Sequence, residues 1–210
     1  MQYEWKEGRW VMIDPALELY FEQAISLPLL PSPLTPGLKE GYEVVIEQDE
    51  QGIYTKAFCQ QEGRFHGQYL LFYPCGKIKG ESFYQEGCLH GPSRFFSREG
   101  GLLSEAWFYE GLSIGRARRF YASGAPYAHL QYQRGLLYGV QEYFYEEGGM
   151  KSWLPYVEGM LEGEVVLFWP SGKVKRRCFF QKGQRAGRDQ LFDLEGKLQE
   201  EDHYQLGRQS

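Results

Sequence analysis

The chain has 210 residues, enough for one ordinary domain or one repeat array, and carries 28 acidic against 23 basic side chains for a net charge of −5. That balance argues against a general nucleic-acid binder, which carries a basic stripe, and no apolar run reaches the roughly 18 residues of a membrane-spanning helix. Aromatic residues at 17% and 26 glycines exceed the ordinary share and favour strands joined by tight turns.

The first stretch, MQYEWKEGRWVMID, has no basic start followed by an apolar run, so it does not read as a secretory signal, and a cytoplasmic location is expected. Asp14-Pro15 then reads as a helix start, with Asp as N-cap and Pro in the first helical position. Leu17, Tyr20, Phe21, Ala24 and Ile25 follow at helical spacing. This short amphipathic helix is expected to dock on a sheet, since its polar face carries Glu18 and Glu22 rather than the Lys and Arg of membrane-surface helices. Leu27 to Gly37 contains four prolines and is expected to be an extended, stiff connector. Residues 1–40 thus form an N-terminal segment, and 41–210 a repeat array whose first hairpin, 41–54, is degenerate.

From Thr55 onward the sequence repeats every 24 residues without insertion or deletion. One glycine ladder runs Gly63, Gly87, Gly111, Gly135, Gly159, Gly183 and Gly207; a second runs Gly67 to Gly187, and a third Gly76 to Gly196. Phenylalanine returns at Phe72, Phe96, Phe120, Phe144, Phe168 and Phe192. A fixed period decides the fold before any other feature. Each repeat holds two strand signals and two turns, the G-x-x-x-G segment and the third glycine, which predicts an all-β fold: an elongated antiparallel β-meander of about six hairpins, with the short N-terminal helix. Alternation predicts one packed side that combines the Phe ladder with Ile78, Ser82, Tyr84 and their equivalents. The opposite side carries Tyr73, Phe83, Trp107, Tyr121, Tyr145 and Trp169. These six are the candidate partner-binding residues, on a face that is covered by the N-terminal segment, buried by self-association into a homodimer, or open to a protein partner.

The aromatic-x-x-G-x-x-x-G segments at 84–91, 108–115, 132–139, 156–163 and 180–187 resemble the MORN repeat. The Tyr-x-Gly opening of the standard unit is replaced by Gly80-Glu81-Ser82 and Ser104-Glu105-Ala106, so the chain is more similar to the bacterial variant of that repeat, which includes YwqK-type antitoxin proteins. The resemblance implies a hairpin array engaged in protein scaffolding, dimerisation or membrane-lipid recognition.

Chemistry is sparse. Cys59, Cys75, Cys88 and Cys178 are too scattered for a zinc site, and His66 and His90 are equivalent turn positions without a third ligand. No nucleophile elbow, phosphate loop or metalloprotease motif occurs, so no enzyme activity, cofactor or metal is expected. Residues 1–60 carry ten acidic and four basic side chains, whereas 61–210 carry eighteen and nineteen. Arg116, Arg118 and Arg119 form one basic cluster, and Lys173, Lys175, Arg176 and Arg177 begin another. The second is a candidate contact for anionic lipid, the alternative to a protein partner.

Overall fold

The structure, a computed structural model, describes residues 3–6, 9–12, 25–206 and 208–209. They fall into two compact units, Met1–Gly115 and Arg116–Ser210. Among the described residues the regular structure is antiparallel β.

In the first unit a small sheet joins β1 (Tyr3–Lys6), β2 (Arg9–Met12) and β3 (Ile25–Ser26). The helix predicted from Asp14 lies outside the described residues except for its last position, where Ile25 pairs with Trp10 as part of β3. A meander follows: β4 (Gly37–Leu38), β5 (Glu43–Gln48), β6 (Tyr54–Gln61), β7 (Arg64–Phe72), β8 (Ile78–Gln85), β9 (Cys88–Phe96) and β10 (Leu102–Tyr109), each from β5 on paired with the strand before it. Next, β11 (Leu112–Phe120) holds residues of both units.

The second unit is itself a meander, with β12 (Pro126–Gln133), β13 (Leu136–Leu137), β14 (Gly139–Phe144), β15 (Met150–Val157), β16 (Met160–Leu161) and β17 (Gly163–Phe168). It ends with β18 (Val174–Gln181), β19 (Gln184–Phe192), β20 (Leu198–Gln205) and β21 (Arg208–Gln209). The very short β13 and β16 are the first residues of hairpin strands interrupted by a bulge. The antiparallel meander of 24-residue hairpins expected from the sequence is the observed fold.

The tight turn differs from its predicted place. Between β8 and β9 it consists of Glu86 and Gly87, with φ of 49° and 85°. Two consecutive left-handed residues make a type I′ turn, whose twist suits the flanking strands. The G-x-x-x-G segment is therefore not the turn: β9 already begins at Cys88, and Gly91 lies inside the strand at φ 104°, where the register slips between Ser82 and Tyr84. The turns also link neighbouring repeats. The Gly87 N–H donates to Phe65 O at 2.8 Å, and in the second unit Gly159 N–H donates to Leu137 O at 2.9 Å.

Register decides what is buried. Ser82 stands opposite Tyr69 and Ser93, while Phe83 stands opposite Gln68, so Ser82 and Phe83 point to opposite faces. A one-residue bulge between Leu71 and Phe72 separates the Phe ladder from Ser82 and Tyr84, which overturns their predicted grouping on one packed side. The six ladder phenylalanines are half-buried rather than core.

In the first unit the face of Phe83 holds the buried Val44, Ala57, Cys59, Leu70 and Trp107. The proline-rich segment lies on it. Leu27 is buried, the Gln68 N–H donates to Pro28 O at 2.8 Å, and the Leu30 N–H donates to Gln68 Oε1 at 3.1 Å. The segment is thus a cover for the sheet as well as a connector. The other face of this unit gathers Phe58, Phe65, Tyr69 and Tyr84 into a ring cluster with centroids 5.0 to 5.7 Å apart.

In the second unit burial is on the other side, the face of Cys178. It holds Ala128, Leu130, Val165 and two satisfied polar groups. Gln141 accepts from the Gln131 N–H at 2.8 Å and donates to the Gln131, Tyr138 and Gly139 carbonyls, filling a bulge. Asp189 receives both donors of Arg176 at 2.6 and 2.7 Å and lies 3.2 Å from Arg185. A buried carboxylate is tolerated when paired and hydrogen-bonded in this way.

Candidate functional site: the open face of the second unit

The six aromatic residues singled out in the sequence are held by the fold. Phe83 and Trp107 are 2% and 5% exposed, so they offer almost no surface to a partner. Tyr73, Tyr121, Tyr145 and Trp169 occupy one repeat position in the longer turn and are half-buried. Their polar tips reach into the next repeat. Tyr73 Oη donates to Phe96 O at 2.8 Å, Tyr121 Oη to Phe144 O at 2.9 Å, Tyr145 Oη to Phe168 O at 2.7 Å, and Trp169 Nε1 to Phe192 O at 3.2 Å.

Three of these rings have a lysine six positions later within cation–π range: Lys79 at 5.9 Å, Lys151 at 5.6 Å and Lys175 at 4.4 Å. Where the same position is a short polar residue it caps its own turn. Asp49 Oδ1 accepts from the Gln51 and Ile53 amides at 2.9 Å, and Ser97 and Asp193 behave alike.

The C-terminal basic residues do not converge. Lys173 donates to Glu195 O at 3.0 Å, and Lys175 covers the Trp169 ring. Arg176 turns to the buried Asp189, and Arg177 points to the opposite face, 3.9 Å from Glu164. Alternation along a strand divides neighbouring charges between two faces.

The opposite face of the second unit carries a row of half-buried and exposed residues that the sequence reading did not single out. His129, Glu142, Trp153, Val166, Arg177, Gln190 and Glu201 stand opposite one another across β12, β14, β15, β17, β18, β19 and β20. Trp153 is 40% exposed, and Phe179, two residues beyond Arg177 on the same face, is 44% exposed. Two grooves flank them. One, of about 410 Å³, is lined by Arg116, Arg118, His129, Gln131 and Glu142; the other, of about 450 Å³, by Glu164, Arg177, Phe179, Gly187, Arg188 and Gln190.

The signal for Trp153 was present in the sequence. Its equivalents are Ala57, Glu81, Glu105, His129, Arg177 and Glu201, so an indole is out of place in a mostly polar ladder. Phe179 is the equivalent of Phe83 and Trp107, exposed where they are covered.

The family model of the MORN repeat variant matches residues 65–86 and 161–182. The two matched segments lie four periods apart in the same register, each running from the start of one tight turn's outgoing strand to the next tight turn. MORN repeats commonly serve as protein- or membrane-interaction modules, in keeping with a non-catalytic scaffold. No curated protein sequence matches the chain. Among the described residues no group of three or more Cys, His, Asp or Glu is arranged to hold a metal, and no helix is long and apolar enough to cross a membrane.

Proposed function

We propose that the chain is a non-catalytic binding module that receives a protein partner on the open face of its second unit, centred on Trp153, Arg177 and Phe179. One observation carries this: the repeat position buried as Phe83 and Trp107 in the first unit is exposed as Phe179 in the second. Trp153 and Arg177 lie two strands apart, about 10 Å at the usual strand spacing. Exposed tryptophan and arginine beside an apolar ring are the residue types that dominate protein-binding energetics. Neutralising or chaperoning the partner is the form of binding that the likeness to antitoxin-type repeats suggests.

The test is capture of a partner from the native host by wild-type protein and by Trp153→Ala with Phe179→Ser, both shown folded by circular dichroism. Wild type is expected to retain a protein that the double variant loses, while Tyr145→Phe retains it. An unchanged set of captured proteins in the double variant would remove this face from the site. Co-sedimentation with anionic vesicles at low salt, with Arg177→Glu as control, addresses the lipid alternative; charge-dependent binding there would overturn the protein reading.

A further inference from the structure

The first unit contains a small complex within itself, and its geometry specifies what the second unit's face lacks. At Gly67 the bulged strand has φ 106°, and a Cβ built there would meet Pro28 O at 2.4 Å and Pro28 Cβ at 2.9 Å. Glycine is therefore what admits the peptide. The next amide, Gln68 N–H, donates to Pro28 O, and the Gln68 side chain accepts from the Leu30 N–H two residues further along the bound segment. The seat thus has three parts: a bulge glycine, an outward amide and a polar side chain beside it.

Each repeat has such a glycine, but two of the seats are already closed. Gly91 is followed by Pro92, which has no N–H. A Cβ at Gly139 would meet Gln131 Oε1 at 2.7 Å, so that side chain fills the place. At Gly187 the nearest atom is Phe179 Cβ at 3.8 Å, and the space in front is the groove of about 450 Å³. Its register copies the occupied seat: Gly67 and Gln68 stand opposite Tyr84 and Phe83, and Gly187 and Arg188 opposite Tyr204 and His203. The register on the other side matches too, with a break between Cys178 and Phe180 as between Phe58 and Gln60.

We infer that the Gly187–Arg188 bulge is a docking seat for an extended, proline-containing acidic peptide of a protein partner, held as Leu27–Leu30 is held at Gly67–Gln68. This rests on the binding role proposed above and names its ligand chemistry. The peptide carbonyl accepts from the Arg188 N–H, and its proline ring lies against Gly187 and the exposed Phe179 ring. Where Gln68 supplies an amide acceptor, the second seat presents the guanidinium groups of Arg188 and Arg177. Each makes a long, exposed ion pair, 4.0 Å from Arg188 to Glu201 and 3.9 Å from Arg177 to Glu164, for which an acidic ligand side chain competes. A neutral proline peptide lacks that contact.

The probe is a synthetic peptide copying residues 26–31, Ser-Leu-Pro-Leu-Leu-Pro, with an aspartate added at each end, titrated into the full chain and followed by amide NMR shifts. Saturable shifts are expected at Gly187, Arg188 and Phe179, with affinity reduced at least tenfold in Gly187→Val and at least threefold in Arg188→Glu. The second variant leaves the backbone intact, so it stands if the first is misfolded. Shifts confined to Gly67 and Gln68, affinity indifferent to Arg188→Glu, or no saturable shifts would each overturn the inference. If the peptide fails while partner capture still depends on Trp153, the ligand chemistry is wrong and the binding role stands; if capture is indifferent to Trp153 and Phe179, the binding role itself fails.

Discussion

At the scale of single residues, backbone conformation explains the repeated glycines. Gly111 sits at φ 80° with nothing within 4 Å of where a Cβ would be. Gly111→Ala therefore meets no clash and should still destabilise by about 1–2 kcal/mol, the cost of a left-handed alanine, read from urea midpoints. The companion position works in the other direction: Glu158 is held at φ 49°, so Glu158→Asn should stabilise by about 0.5 kcal/mol because asparagine tolerates that conformation better. Burial makes His90 a pH-sensitive position. Loss of solvent pushes its imidazole below the ordinary value of 6.5, partly offset by Glu110. As the pH falls through 6.5, the unfolded chain takes up the proton first, so this contribution to stability is whole above 6.5 and declines below it. His90→Asn should flatten the acid side of the stability profile; equal slopes for both proteins would assign the effect elsewhere.

At the scale of the element, the hairpin is stabilised by contacts that span one period. Tyr145 is representative: its hydroxyl reaches the Phe168 carbonyl at 2.7 Å and its ring underlies Lys151. Tyr145→Phe should cost about 0.5–1.5 kcal/mol in unfolding free energy and leave partner capture unchanged. This outcome separates a rung between repeats from a binding residue, the role its aromatic character suggested in the sequence. The sequence showed that the residue recurs with variation, Tyr, Ser, Tyr, Tyr, Trp and Asp from position 73 to 193, but not what its tip meets. The acceptor is a backbone carbonyl, and carbonyls leave no mark on side-chain patterns. The short polar members were more legible, since serine and aspartate that cap a turn do so within a few residues of themselves.

At the scale of the whole molecule, the first unit buries side chains on both faces of its hairpins, Phe83 on one and Phe58 and Ser82 on the other, whereas the buried residues of the second unit share the face of Cys178. The thiols report this directly: Cys59 and Cys178 are buried and Cys75 and Cys88 exposed, with burial pushing Cys59 up to about 11. Titration with a disulfide reagent at neutral pH should therefore modify two thiols rapidly in the folded protein and all four after denaturation; fast modification of Cys59 would show that the proline-rich cover does not hold its face closed. The sequence by itself determined the period, the hairpins, the antiparallel meander and the absence of catalytic motifs, because glycine ladders and strand alternation are local properties of the chain. It placed the tight turn a few residues late, because the left-handed pair includes a glutamate that no turn rule favours. Only the tertiary structure decided which face is core and which is open. Alternation divides side chains between two faces without ranking them, one-residue bulges shift that division, and the segment seated at Gly67 and Gln68 comes from Pro28 to Leu30, with Leu30 38 residues distant from the Gln68 that holds it.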